Sequence, residues 1–400
     1  MVSGDIAPRT SIHGNLNAVK QLLFLEKALI SDNEFSIVIK KNRVIEIPRS
    51  KETGMENERM TRVAVDAMGG DNAPTELVKG AVEAINKSGK VKVLLTGPEE
   101  VLQKELSRYR YNSEQLEIVP ASEMITNDES PVSAIRRKKD SSIVVGQKLV
   151  REGQADAFVS AGSTGAVLVG GQLVVGRIKG VERTPLAPLI PTANGVSLLI
   201  DCGANVDARS SHLVQFAKMG SIYMEHVIGI SKPRVGIVNV GAEEEKGNAL
   251  VKETFPLLKE CGDINFMGSI EAREIPFGGA DVIVCEAFVG NVILKLYEGT
   301  AGALVGQIKK GMMSNLRSKI GALLVKPALK ETLRGMDASE YGGAPMLGLN
   351  GLVVKTHGNA KSKEVCNSIL QCITFHEQNV MKKIKESLAE ESRNEKKEEE

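Results

Sequence analysis

The feature that most constrains the fold is a repeated pattern in which a short apolar run ends in a glycine-rich polar turn. Six stretches show it: VAVDAMGGD, VKVLLTGPE, DAFVSAGSTG, VSLLIDCGAN, RVGIVNVGAEEEKGN and DVIVCEAFVGN. Helical patterns follow most of them, and short strands alternating with amphipathic helices indicate a largely parallel sheet covered on both faces. Ligands of such sheets bind at the carboxyl ends of the strands, where all six turns should lie. The pattern therefore predicts an α/β fold with a site spread over several loops.

Composition narrows the class of protein. The chain has 400 residues, of which 42% are hydrophobic and 25% charged, and its formal net charge is +1. So small a net charge gives no general attraction to nucleic acid, and we expect no nucleic-acid partner. Five cysteines without a CxxC pair indicate reduced thiols in a cytosolic protein. Because no apolar run approaches the ~18–20 residues of a spanning helix, we expect a soluble protein or one attached only to a membrane surface.

Changes in composition and hydrophobic pattern along the chain suggest three parts. Residues 1–60 form an N-terminal extension of unknown role, in which FSIVIKKNRVIEIP reads as a hairpin with Lys41-Asn42 as its turn. Residues 61–382 carry the alternation of strands and helices. Residues 383–400 are almost entirely charged or polar, which predicts a disordered tail.

The glycine turns are suited to binding an anion. Backbone N–H groups of a glycine turn, together with a helix N-terminus, create a positive concavity that favours phosphate. SAGSTGA fits best, because Ser163 and Thr164 add hydroxyl donors beside Gly165 where a helix should start. No Walker A motif and no complete dinucleotide fingerprint are present. A single turn of this kind is equally compatible with a tight turn that binds nothing, but six at one edge favour a site.

Several polar residues stand at the same edge. Asp66, Asp71, Asp201 and Asn205 are each able to ligate a metal, orient a substrate or cap a helix, and capping is the commonest of these roles. His357, in VVKTHGNA, suits either a site or a structural role. No His/Cys cluster has zinc spacing, and we expect neither a metal nor a cofactor. No GxSxG elbow or nucleophilic cysteine motif is present, so nothing indicates a covalent nucleophile.

Three charged stretches stand out. In NVGAEEEKGN, Lys246 lies at the mouth of a strand, where a substrate anion is expected, although an exposed charged loop reads the same way. AIRRKKDSS gathers Arg136, Arg137, Lys138 and Lys139, which suits an acidic partner or a solvated helix face. The apolar cluster Ile320–Val325 is flanked by basic residues, which favours contact with an anionic membrane as much as packing in a core or a dimer.

Taken in order, these motifs resemble one family. VAVDAMGGDNAP, PVSAIRRKKDSS, SAGSTGA, GRIKGVERTPLAP, LIDCGANVDA, VNVGAEEEKGN, FVGNVILK and YGGAPMLGLNGLVVKTHGNA occur as in the PlsX-type phosphate acyltransferases. The resemblance runs from about Thr61 to Val380. It departs in CEAFVGN, where Glu286 and Ala287 replace the usual Asp and Gly. If that glycine needs a positive φ, Ala287 would be strained.

The resemblance implies a Rossmann-like three-layer α/β/α fold related to phosphotransacetylases and isopropylmalate dehydrogenases, in a homodimer. It implies that inorganic phosphate attacks a long-chain acyl thioester on acyl carrier protein, giving acyl phosphate for phospholipid synthesis. Lys246 would stabilise the oxyanion or protonate the leaving thiolate, and His357 would help as a second catalytic group. The basic clusters, with Lys309 and Lys310, would dock the acidic carrier protein, and Ile320–Val325 would rest on the membrane. We take as substrate-binding candidates Asp66, Gly69, Gly70, Asp71, Asn72, Ser163, Thr164, Gly165, Asp201, Asn205, Asn248 and Asn291.

Two other interpretations compete with this one. A phosphotransacetylase would share the fold and the chemistry but use short acyl groups on coenzyme A. A non-catalytic membrane scaffold would share only the fold, and the altered CEAFVGN loop is the feature in its favour. A dehydrogenase is disfavoured because its dinucleotide fingerprint and metal-binding aspartates are not evident.

Overall fold

The computed structural model describes residues 35–40, 43–48 and 59–398. The chain divides into two compact units, Met1–Glu58 and Arg59–Glu400. In the first unit, β1 (Phe35–Lys40) and β2 (Arg43–Pro48) pair antiparallel with Lys40 opposite Arg43. The predicted hairpin is therefore confirmed, and its proposed turn at residues 41–42 lies outside the described residues.

The second unit contains two sheets, the larger with six strands. Its strands are β3 (Thr61–Asp66), β4 (Val91–Gly97), β5 (Leu116–Pro120), β6 (Ala157–Ser160), β12 (Ala344–Met346) and β13 (Leu352–Lys355). They lie in the order β12-β13-β6-β3-β4-β5. All neighbours are parallel except β12 and β13.

The smaller sheet has five strands. These are β7 (Leu189–Thr192), β8 (Gly195–Ile200), β9 (Arg234–Asn239), β10 (Asn265–Glu271) and β11 (Val282–Val284), in the order β10-β9-β11-β8-β7. Only β7 and β8 are antiparallel. The largely parallel α/β fold is confirmed. The division into two sheets was not predicted, because the antiparallel edge strands β7 and β12 are too short to show a pattern of their own.

Helices connect the strands. They are α1 (Thr75–Lys87), α2 (Glu99–Leu106), α3 (Pro131–Arg137), α4 (Ser142–Arg151), α5 (Thr164–Gly170), α6 (Ser210–His226), α7 (Ala249–Glu260), α8 (Ala287–Met312), α9 (Leu316–Gly335), α10 (Ser362–Glu377) and α11 (Val380–Glu398). In the described part of the chain, no helix is both long and apolar enough to cross a membrane. The helical pattern expected after the first glycine turn is confirmed in α1, whose buried Leu77, Ala81 and Ile85 recur at helical spacing and pack into the main core.

The charged C-terminal segment differs from the expectation. We predicted a disordered tail over 383–400, but α11 continues to Glu398. Val380, Ile384 and Leu388 recur every four residues on one face of this helix and are buried in the main core. The prediction is therefore wrong for the first turns of the segment, because three apolar residues at helical spacing suffice to anchor a helix that is otherwise polar.

Candidate active site

A cavity of about 560 Å³ opens at the carboxyl ends of the strands, where β3, β6 and β13 end. Polar residues of its lining are Asp71, Thr164, Asn291, Lys295, Glu298, Lys355 and His357. Apolar residues and one thiol complete it: Leu186, Pro188, Leu189, Leu294 and Cys202. A second cavity of about 290 Å³ lies at the other edge, beside Ala155 and Gly351, which precede β6 and β13. Because ligands of parallel sheets bind at the carboxyl edge, the larger cavity is the candidate site.

The first glycine turn lets three loops meet at this cavity. Gly70 has a φ of +92°, and a Cβ there would lie 2.7 Å from the carbonyl oxygen of Gly358. A Cβ on Gly69 would lie 2.2 Å from Oδ2 of Asp66. Both positions thus require glycine. The two glycines allow the loops of the protein to approach each other, and neither glycine lines the cavity.

Hydrogen bonds join this turn to the loop after β13. The amide of Asp71 donates to the Gly358 carbonyl at 2.7 Å. The Asn72 side chain donates to the carbonyls of Asn359 and Ala360 at 3.0 and 3.2 Å. Asn72 therefore fixes the wall of the cavity, whereas Asp71, which is exposed, is part of its lining.

Asp66 lies beneath the turn and is fully buried. Its Oδ2 accepts a 2.6 Å hydrogen bond from Ser160, whose hydroxyl in turn accepts from the Gly162 amide at 3.0 Å. Its Oδ1 accepts from the Met68 amide at 3.3 Å. Burial raises the pKa of Asp66, and these hydrogen bonds oppose the rise. Asp66 holds the turns after β3 and β6 together from below, and it is not part of the cavity lining.

The SAGSTGA turn contributes one side chain to the cavity. Thr164, the first residue of α5, is exposed and lines it, whereas Ser163 just before the helix is buried. Gly165 lets the start of α5 approach α3, because a Cβ there would lie 2.6 Å from Cγ of Pro131. Of the three predicted residues, Thr164 is the one placed to touch a ligand in this cavity.

Asp201 and Asn205 bind each other and their own loop. Buried Asp201 accepts hydrogen bonds from the amides of Leu186 and Asn205, both at 2.9 Å, and from the Asn205 side chain at 2.6 Å. The Asn205 side chain also donates to the Thr184 carbonyl at 3.0 Å. Burial raises the pKa of Asp201 to about 6. Neither residue lines the cavity, and the side chains of both hold their own loop together.

Lys246 lies on the loop after β9 and is not part of the cavity lining. Its ammonium pairs with Glu243 at 2.7 Å, and its side chain is 48% exposed. The hydrogen bond to Glu243 raises the pKa of Lys246. Asn248 on the same loop caps α7, since its side chain accepts from the Val251 amide at 2.9 Å. The catalytic role of Lys246 stays a prediction.

His357 joins the loop after β13 to two helices. Its Nε2 lies 2.7 Å from Oε1 of Glu298 on α8, and its Nδ1 lies 3.2 Å from Oε1 of Glu364 on α10. The His357 amide also donates to that Glu364 oxygen at 2.9 Å. The ring is thus held between two carboxylates in the lining of the cavity.

The CEAFVGN departure carries no strain. Glu286 caps α8, accepting from the amides of Phe288 and Val289 at 2.6 and 2.9 Å. Ala287 is the first residue of the helix, and among the described residues a positive φ outside glycine occurs only at Lys232 and Asn379. The concern about Ala287 is therefore unfounded, because the site needs helical backbone there. Asn291, one turn further on, lines the cavity.

Lys355 is a cavity residue that the sequence analysis missed. It ends β13, it is only 7% exposed, and its ammonium donates to the carbonyls of Ala161, at 3.4 Å, and Thr356. Burial lowers the pKa of Lys355 to about 8, against the opposing effect of Glu364 and Asp66. A lysine directly after three buried apolar residues, at the carboxyl edge of a strand, was the available signal in LVVK.

Within the described residues, no group of three or more His, Cys, Asp or Glu side chains is arranged to hold a metal ion. The cavity lining offers hydroxyl, amide, imidazole and ammonium groups beside the carboxylates of Asp71 and Glu298. The first four kinds of group are hydrogen-bond donors suited to an anionic or carbonyl ligand.

Solved structures with this architecture include two phosphotransacetylases. That of Streptococcus pyogenes has a TM-score of 0.54 and 17% identity, covering 80% of this chain and 95% of its own. The EutD phosphotransacetylase of Staphylococcus aureus has a TM-score of 0.51 and 19% identity, covering 80% and 94%. At these identities the likeness concerns the fold, and it agrees with the predicted relation to phosphotransacetylases.

Relatives of higher identity share most of the sequence. The phosphate acyltransferase of Clostridium acetobutylicum is 49% identical over 328 residues, covering 82% of this chain and 99% of its own. That of Alkaliphilus oremlandii is 51% identical over 328 residues, covering 82% and 97%. The model of the fatty acid synthesis protein family matches residues 61–383. The chain therefore belongs to the fatty acid synthesis protein family, together with these PlsX-type phosphate acyltransferases.

Proposed function

We propose that this enzyme transfers a long-chain acyl group from acyl carrier protein to inorganic phosphate, giving acyl phosphate for phospholipid synthesis. The observation that carries the proposal is the cavity at the carboxyl edge of the sheet, whose lining combines polar and apolar side chains. Thr164, Asn291 and Lys355 in this lining suit a phosphate and a thioester carbonyl. Leu186, Leu189 and Leu294 suit the first methylenes of an acyl chain.

The reaction needs no nucleophile from the protein. A phosphate oxygen attacks the thioester carbonyl carbon, the C–S bond breaks, and the leaving thiolate takes up a proton to become the free thiol of the carrier. Cys202 is the thiol in the cavity lining, but burial and the nearby Cys285 and Asp201 raise its pKa well above the ordinary value. A protonated, buried thiol is a poor nucleophile, which favours direct attack by phosphate.

The protein then contributes positioning and charge stabilisation. We assign Asp71, Thr164, Asn291 and His357 to substrate positioning, because their side chains line the cavity. We assign Lys246 to stabilising the oxyanion or protonating the thiolate. Glu243 keeps this lysine cationic, which suits both roles and disfavours that of a general base.

The proposal includes a docking surface for an acidic carrier protein. Arg136 and Arg137 at the end of α3 are exposed, as are Lys309 and Lys310 near the end of α8. Lys138 is a weaker candidate, because it already pairs with Glu129 at 2.7 Å. Exposed basic groups of this kind steer an acidic partner toward the enzyme.

We also propose a homodimer and peripheral contact with the cytoplasmic face of a membrane. Exposed apolar side chains on α8 and α9 support both, since a soluble protein rarely leaves so many uncovered. On α9 they include Ile320, Leu323, Leu324 and Val325, the segment expected to meet the membrane, with exposed Arg317, Lys319 and Lys326 beside it.

The test is acyl phosphate formation from palmitoyl-acyl carrier protein and phosphate, trapped with hydroxylamine, for wild type and Lys246→Ala. Loss of one strong transition-state contact should reduce kcat by about two orders of magnitude or more. Equal activity of the two proteins would refute the role of Lys246 and leave the reaction standing. A folded wild type that is inactive here but turns over acetyl-CoA would be a phosphotransacetylase, and one inactive with both donors would be a scaffold.

A further inference from the structure

Lys355 is a buried cation in the candidate active site whose charge nothing else in the mechanism uses. The three residues before it in β13 are buried and apolar, and Lys355 itself is only 7% exposed. Burying an ammonium is costly unless polar partners compensate. A buried ammonium in the lining of a cavity therefore points to an anionic ligand.

The contacts of this ammonium leave it able to bind an anion. It donates to two backbone carbonyls, those of Ala161 and Thr356. Within the described part of the chain, no carboxylate lies within ion-pair distance of its Nζ. An ammonium has three N–H donors, so one remains after the two carbonyls are satisfied.

The other cations near the site are less suited to this task. The Lys295 side chain lines the cavity but is 60% exposed and pairs with Glu298 at 3.0 Å. Lys246 pairs with Glu243 and is not part of the lining. A charge in a buried setting acts on an anion with less screening than an exposed one. Lys355 is thus the described lysine best placed to attract an anion into this cavity.

We propose that the Lys355 ammonium binds the inorganic phosphate substrate in this cavity. This inference rests on the proposed function and specifies which group holds the nucleophile. The hydroxyl of Thr164 and the amide of Asn291 lie in the same lining and supply further donors to phosphate oxygens. Lys355 is thereby a substrate-binding residue, distinct from the oxyanion role assigned to Lys246.

The charges around Lys355 define how phosphate binding depends on pH. Asp66 on β3, Asp71 on the following loop and Glu364 on α10 favour its charged form, whereas Lys295 on α8 and burial disfavour it. His357 on the adjoining loop lies between Glu298 and Glu364. Because the pKa of Lys355 is about 8, the cation is lost as the pH rises through that value, and phosphate binding should weaken with it.

The first experiment compares wild type, Lys355→Met and the control Lys92→Met. Lys92 stands on β4 of the same sheet, paired with Glu117 at 2.7 Å and away from the cavity. Loss of a charge-assisted hydrogen bond should raise the KM for phosphate by about tenfold to a hundredfold in Lys355→Met. The KM for the acyl donor should stay near the wild-type value, and Lys92→Met should resemble wild type in both. A folded Lys355→Met with an unchanged KM for phosphate would overturn the inference.

A second measurement separates this inference from the proposed function. Thermal unfolding is followed with inorganic phosphate and no acyl donor, against potassium chloride of equal ionic strength. Phosphate should raise the Tm of wild type and Lys92→Met but not of Lys355→Met. If no acyl phosphate forms under any condition while this pattern holds, the proposed reaction fails and the phosphate site stands. If acyl phosphate forms and Lys355→Met keeps the full Tm rise, the site fails and the reaction stands.

The wild-type protein alone provides a test if Lys355→Met does not fold. The Tm rise at fixed phosphate should decrease between pH 7 and pH 9.5, through the lysine pKa of about 8. The cavity thiol of Cys202 does not share this titration, because its pKa lies well above the ordinary value. A phosphate effect that is constant over this range would overturn the inference.

Discussion

Gly290 offers the sharpest structural test of the site, because α8 crosses the end of β8 with no space for a side chain. A Cβ added at Gly290 would lie 1.9 Å from the carbonyl oxygen of Asp201 and 3.0 Å from Sγ of Cys285. The first of these atoms belongs to the backbone and cannot rotate away. Restoring an ordinary contact of about 3.5 Å requires helix and strand to separate by roughly 1.5 Å. Gly290→Ala should therefore destabilise the protein and displace the cavity residues of α8.

Gly299→Ala is the matched control on the same helix. A Cβ at Gly299 meets nothing within 4 Å, so this variant gains the helix propensity of alanine without a clash. That gain, about 1 kcal/mol, is common to both variants and cancels when they are compared. The difference in unfolding free energy between the two variants then measures the cost of forcing a methyl group into a packed contact. We expect about 1–3 kcal/mol, and Gly290→Ala should be the less stable variant.

Urea unfolding of both variants measures this difference, and acyl phosphate formation measures its effect on the site. Because Asn291 follows Gly290 directly and lines the cavity, kcat/KM should fall in Gly290→Ala and stay near wild type in Gly299→Ala. The packing argument is refuted if Gly290→Ala is as stable and as active as Gly299→Ala.

Three further predictions concern a cap, a buried acid and the exposed apolar segment. Asn248→Ala removes the cap of α7 and should lower the unfolding free energy by about 1 kcal/mol in urea; no change would contradict the cap. Burial raises the pKa of Asp201 from 3.8 to about 6, so its protonated form favours folding. Its contribution is fully present below pH 3.8 and is lost as the pH rises to about 6. The stability of wild type relative to Asp201→Asn should thus fall by about 3 kcal/mol over that window, and a difference independent of pH would contradict the shift. Leu323→Ser should lower binding to anionic vesicles in flotation by about tenfold to a hundredfold, since one buried leucine contributes about 1.5–3 kcal/mol. Unchanged flotation would place Leu323 away from the lipid.

The sequence predicted what depends on local patterns. Apolar runs before glycine turns located the strands and their carboxyl ends, and the spacing of Leu77, Ala81 and Ile85 located α1. The edge strands β7 and β12 were missed, because three or four residues carry no period of their own. The helix at the C-terminus was missed because charge masks Ile384 and Leu388, which stand four residues apart on its buried face.

Sequence motifs do not give the distances between residues in the fold, so they could not show which candidate residues line one cavity. Thr164, Asn291, Asp71 and His357 line it together, although up to 286 positions separate them in the chain, the separation of Asp71 and His357. Lys246, which looks equivalent in sequence, stands on a loop outside the lining. A lysine at a strand end is usually an exposed residue, so the apolar run before Lys355 is a weak signal and its burial is what identifies it.

The buried carboxylates explain why so many acidic residues end strands here without all of them binding a ligand. Asp66 ends β3 and Asp201 follows β8, and each is fully buried with hydrogen bonds from the loop that it begins. Backbone amides that turn away from a strand lose their ladder partners, and a buried carboxylate can accept several of them. The acid thus shapes its loop, and the loop then presents a different side chain to the cavity, as Asp71 does after β3. At β3 and β8 the acid at the end of the strand is thus a support, whereas Lys355 at the end of β13 lines the cavity itself.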